Sequence, residues 1–109
     1  MIQTIEELKT VLDSTGIPVV YREYGENQAP DPPYVVFYVG DTSTFWADDE
    51  AYMIQTPATV ELYTDTKDPF NEAIVEAALK DNGINYETSQ VYWDDEQLNE
   101  VAYDFTLTQ

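Results

Sequence analysis

"VELYTDTKDPFNEAIVEAALKDNGINYE", Val60 to Glu87, changes its hydrophobic period twice. Up to Tyr63 apolar and polar residues alternate, the two-residue period of a half-buried strand. Asp68-Pro69 then marks a helix start. The aspartate can accept backbone N–H groups, and the proline's missing N–H has no partner to lose in a first helical turn. Phe70, Ile74, Ala77 and Ala78 keep one helical face, with Val75 and Leu79 beside it. Gly83 suits the left-handed residue that closes a helix, and Ile84–Trp93 returns to a strand pattern. A strand, a helix and a second strand in so short a span place the chain among folds that mix helices and sheet.

Working outward, Thr4 and Glu7 form a capping box ahead of Ile5, Leu8, Val11 and Leu12, which predicts a first helix over about residues 5–14. Gly16 and Pro18 end it. Val19–Tyr24 reads as a strand, and residues 25–33, "GENQAPDPP", as a loop in which three prolines and a glycine prevent ladder pairing. Tyr34–Val39 is a strand apolar on both faces. "GDTSTFWADDEAY", Gly40–Tyr52, reads as the long connection of a hairpin projecting from the sheet. Tyr52–Tyr63 alternates, with Pro57 predicting an edge or a bulge. Asp94–Gln97 is a polar turn, and residues 98–108 alternate with Val101, Tyr103, Phe105 and Leu107 inward. The expected architecture is one α+β domain over residues 1–109, in the order α-β-β-β-α-β-β. Its sheet is mixed, mainly antiparallel and five-stranded, both helices lie on one face, and the last two strands form an antiparallel hairpin.

With 109 residues and 43% apolar content, a chain of this size buries roughly 65% of its unfolded surface around one core. Four basic residues (Lys9, Arg22, Lys67, Lys80) face 22 acids, a formal charge of −18. Most carboxylates must therefore lie on solvated faces, where salt screens them over about 8 Å. Such a charge disfavours direct contact with nucleic acid or an anionic membrane. It favours solubility, a basic partner, or a surface past which a polyanion slides. There is no cysteine, so no disulfide or thiolate chemistry. The N-terminus carries no signal-peptide core, and the longest apolar run, Tyr34–Val39, is far short of the ~20 residues that span a bilayer. A soluble intracellular product is expected.

Chemistry is sparse. No histidine is present to act as base for Ser14, Ser43 or Ser89. Gly16, Gly25, Gly40 and Gly83 show no phosphate-cradle spacing. The carboxylate runs Asp48-Asp49-Glu50 and Asp94-Asp95-Glu96 lack calcium-loop spacing, and consecutive acids on extended backbone point to alternate faces rather than converging. They read as solvated turns. No catalytic, cofactor-binding or metal-ligating residue is assigned, and no enzymatic activity is expected.

Aromatic residues are the stronger signal. Tyr21, Tyr34, Tyr38, Tyr63, Tyr86 and Tyr103 fall in predicted strands and suit sheet packing. Phe45-Trp46 and Tyr92-Trp93 instead end strands next to acidic turns. Folding back over the domain's own core is one reading. The other is an interface made of Phe45, Trp46, Asp48, Asp49, Tyr92 and Trp93, because exposed aromatics mark contact surfaces.

Taken in order, "IPVVYREYGE", "PPYVVFYVGD", the aromatic–acidic crossover, "VELYTDTKDPFNEAIVEAALKDNGINYE" and "VAYDFTL" resemble the small tail-terminator (tail-completion) proteins of siphophages and of prophages in Gram-positive bacteria. The resemblance covers nearly the whole chain and rests on motif order. It implies an α+β fold, no enzymatic activity, and assembly into a homo-oligomeric ring, typically a hexamer. That ring caps the tail-tube protein, ends its polymerisation and meets a head–tail connector protein. Location would be the virion tail, after assembly in the host cytoplasm. The rival is an acidic mimic of DNA that inhibits a host DNA-binding protein or nuclease.

Overall fold

In a computed structural model of the chain, residues 4–22, 29–47 and 51–108 are described. The elements are α1 (Ile5–Asp13), β1 (Val19–Tyr21), β2 (Tyr34–Val39), β3 (Ser43–Ala47), β4 (Ala51–Thr64), α2 (Pro69–Asp81), β5 (Glu87–Trp93) and β6 (Leu98–Thr108). The fold is α+β, as expected, but the sheet has six strands rather than five. Its order is β1-β2-β4-β6-β5, with β3 paired to β4. Only β1 and β2 run parallel; the other pairings are antiparallel.

Both helices start where their caps dictate. Thr4 accepts the Glu7 amide at 3.2 Å through its hydroxyl. Asp68 accepts the Asn71 amide at 3.0 Å and its side-chain amide at 2.7 Å, and these bonds hold its carboxyl below the usual range. At the far end of α2, Gly83 has φ +77°, its N–H reaches Lys80 O, and the Ile84 N–H reaches Leu79 O. This is a Schellman closure, with Leu79 and Ile84 both buried beneath it. Ile84 therefore belongs to the helix exit, and β5 begins three residues later than the sequence pattern predicts.

One face of the sheet carries the core. Val35 and Phe37 of β2, Ala58, Val60 and Leu62 of β4, and Val101, Tyr103, Phe105 and Leu107 of β6 meet Leu8 and Leu12 of α1 and Val75 and Leu79 of α2. The alternation read in β4 and β6 thus holds at Ala58, Val60 and Leu62 and at Val101, Tyr103, Phe105 and Leu107, while the side chain of Tyr52 lies outside the described residues. Helix α2 differs: it buries Glu72, Val75 and Leu79, while Phe70 is 66% exposed. The sequence offers two overlapping apolar stripes on this helix, and docking selects the one that Glu72 can join. Glu72 is buried because Lys67 reaches it at 2.7 Å and also holds Gln90 of β5 at 2.7 Å. Lys67 is thus a clamp between the helix and strand layers.

Pro57 sits in the central strand β4, so the bulge is the correct half of the expectation it raised. Val39 lies opposite Ala58 and Ser43 opposite Gln55, so three residues of the β2–β3 edge face two of β4. That is a one-residue bulge. The Gly40 amide donates to Pro57 O at 2.8 Å, which places the proline's missing donor on the side where pairing is already broken. A Cβ on Gly40 would lie 3.1 Å from Pro57 Cγ, so a side chain there would need the proline ring to give by a few tenths of an ångström.

Candidate interaction surfaces

Strand β4 is longer than any of its neighbours. Residues 55–64 pair β6 and residues 58–63 pair β2, but residues 51–54 pair only β3. The β3–β4 hairpin therefore reaches beyond the last β6 pair, at Thr108, by four positions, roughly 13 Å at strand rise. The expected projection is present. However, it is a paired two-stranded arm rather than a loop. The molecule measures 51 × 27 × 21 Å, and its length follows these strands. On the arm Trp46 is 73% exposed and Met53 44% exposed. By register Trp46 lies opposite Tyr52, on the sheet side that carries the helices but at a level the buried core does not reach. The side chain of Phe45 and residues 23–28 and 48–50, which include Asp48 and Asp49, lie outside the described residues.

Strand β5 is the edge of the sheet opposite β1, β2 and β3, and all seven of its residues are exposed. Val91, Tyr92 and Trp93 each keep nearly half their surface in solvent. Tyr92 lies opposite Asn99, on the helix side, and Trp93 opposite Leu98, on the open side. The Trp93 indole donates to Glu100 Oε1 at 2.7 Å, and the exposed turn Asp94–Gln97 follows. Tyr92 and Trp93 thus splay to different faces and do not form one patch.

Nor do the two tryptophans share a surface. Trp46 lies level with Tyr52, whereas Trp93 lies one position past the Thr64–Asn99 pair. About thirteen strand positions, on the order of 40 Å, separate them. Trp46 and Trp93 mark opposite ends and opposite lateral edges of the sheet. The sequence raised them as one interface set; the structure places them on two surfaces.

A third feature escaped the sequence reading. On the open face, Glu61 accepts hydrogen bonds from the Tyr63 hydroxyl at 3.2 Å and the Tyr38 hydroxyl at 3.3 Å. Tyr34 stacks on Tyr63 with centroids 5.1 Å apart. Burial, then the neighbouring Glu100 carboxyl, pushes the Glu61 carboxyl up to about 7, and burial together with Glu61 raises the Tyr38 hydroxyl. These residues, with Tyr21 and Arg22 at the rim, line a shallow cleft of about 750 Å³. Nothing in the one-dimensional pattern points to it, because it depends on the β2–β4–β6 register. Among the described residues no three His, Cys, Asp or Glu side chains converge as a metal ligand set. No helix among them is long and apolar enough to cross a membrane.

No protein-family model matches the chain, and no curated protein matches it in sequence.

Proposed function

We infer that this chain is a structural component of a phage tail, a terminator that forms a ring on the end of the completed tube and contributes to the junction with the head. The observation that carries the reading is the placement of exposed aromatic residues at two distant ends of one small sheet. A protein that closes a ring needs two different contact surfaces, one offered to each neighbour. The likeness in motif order to tail-terminator proteins supports the same reading.

Charge fits the role. With 22 acids, a ring of such subunits presents a negative lining that repels DNA phosphates and lets the genome pass without adhering. Its partners would be further copies of itself, the tail-tube protein and a head–tail connector protein, in the virion tail once assembly in the host cytoplasm is complete. The DNA-mimic reading draws on the same charge but is weaker. Exposed acids occur on α1 (Glu6, Glu7, Asp13), on the opposite sheet face (Glu87, Asp104) and in the turn at Asp94–Glu96, rather than along one phosphate-like row. Affinity capture with the tagged chain from infected or induced cells, read by mass spectrometry, separates the two. Recovery of the tail-tube protein is expected; a basic host DNA-binding protein in its place would overturn the terminator reading.

A further inference from the structure

The sheet ends laterally in β5 on one side and β1 on the other, and β3, on the projecting arm, adds a further edge on the β1 side; the outer sides of β5 and β3 have no partner strand among the described residues. Edge strands expose a row of backbone donors and acceptors, and soluble proteins guard them with charge, proline or a bulge. Here neither strand is so guarded. Ser43–Ala47 has no charged residue, and Glu87–Trp93 has only Glu87, in a chain with 22 acids. The bulge next to β3 lies before it, at Gly40–Thr42, not within it.

We propose that the β3 arm of one copy adds as a strand to the β5 edge of the next, continuing the sheet from subunit to subunit. This rests on the ring reading above and names the surfaces that make the ring. The occupant follows from charge. Between copies that each carry −18, association is least opposed where the facing segments are neutral, and these two strands supply five and seven nearly uncharged residues. A basic partner would find little there to recognise. The position of the strands makes the contact heterologous: they lie on opposite edges and at opposite ends, so one copy uses a different surface toward each neighbour.

Complementation tests this. Thr44→Asp places an acid on the arm and Val91→Asp places one on the β5 edge; both positions are exposed, and circular dichroism and thermal melting check that each variant folds. In sedimentation at raised salt, wild type is expected to form rings and each variant to stay monomeric. An equal mixture should give a discrete dimer of twice the monomer mass, joined through the one intact arm and the one intact edge. A mixture that stays monomeric beside assembling wild type would overturn the proposal while leaving the ring reading intact. So would a single variant that dimerises by itself, which would indicate a symmetric contact. Wild type that is monomeric at every salt and concentration would sink both. Hydrogen exchange on wild type needs no variant: amides of residues 43–47 and 87–93 should exchange more slowly in the assembly, and unchanged rates there would overturn the pairing.

Discussion

Glu61→Gln is expected to stabilise the monomer fold at high pH and to leave it unchanged in acid. The Glu61 carboxyl sits among Tyr38, Tyr63, Glu100 and Asp104 on the open sheet face, and its value rises from an ordinary 4.5 to about 7. A carboxyl with a raised value binds its proton more tightly in the folded state. Between pH 4.5 and 7 the folded chain therefore holds more protons than the unfolded chain, and stability falls as pH rises through that window. The interval corresponds to roughly 3 kcal/mol at 1.36 kcal/mol per pH step. Because the side chain is still partly exposed, solvent screening reduces this to about 1–2 kcal/mol. Glutamine keeps an acceptor and a donor for the two tyrosine hydroxyls but cannot ionise. Urea unfolding at steps from pH 4.5 to 8.5 should show the variant matching wild type at the acid end and gaining about 1–2 kcal/mol by pH 8. Glu6→Gln, on the exposed side of α1, controls for general charge relief and should show a much smaller pH-dependent gain. Equal gains for the two variants, or a Glu61→Gln curve parallel to wild type at all pH values, would refute the reasoning.

Four further outcomes are expected. Lys67→Met should destabilise by about 2 kcal/mol because it strips the donor from the buried Glu72 carboxylate, and adding Glu72→Met should recover most of the loss in a double-mutant cycle. Gly40→Ala should cost no more than about 1 kcal/mol, because a few tenths of an ångström of give in the Pro57 ring relieves the contact of its methyl, and a clearly larger loss in urea unfolding would mean that the ring cannot move. Asp68→Ala should cost about 1 kcal/mol through the lost α2 cap. Its carboxyl is held low, so this contribution is present above the ordinary aspartate range and fades as pH falls through the lowered value, which melts at pH 2–4 would follow. Self-assembly should strengthen as the screening length shrinks from about 30 Å at 0.01 M salt to about 8 Å at 0.15 M, and rings unaffected by ionic strength in sedimentation would count against it.

The elements that were legible in the sequence are those with one buried and one solvated side. β6 alternates because its inward residues meet the helices, and α2 declares itself through Asp68-Pro69 and Gly83. β3 was hidden for the opposite reason. It pairs on one side only, and Trp46, Ser43 and Thr44 are exposed, so no buried period marks it. β1 ends at Tyr21, short of the expected Val19–Tyr24, since Arg22 already turns away with φ +80°, and residues 23 and 24 lie outside the described residues. The strand order could not be read from periodicity, because a parallel β1–β2 pair and a break at Gly40–Thr42 leave no local signature. The same limit governs the surfaces. That Trp46 and Trp93 would be exposed was one of two readings of the aromatic–acidic pairs; that they sit at opposite ends, and that Glu61 gathers two tyrosine hydroxyls, follows only from register.

The most direct test of the account is the length of tail tubes, imaged by negative stain, in particles produced without this chain. Overlong tubes with ragged, headless ends are expected, together with restoration of uniform length when wild-type protein is supplied. Tubes of normal, uniform length joined to heads in its absence would contradict the central claim.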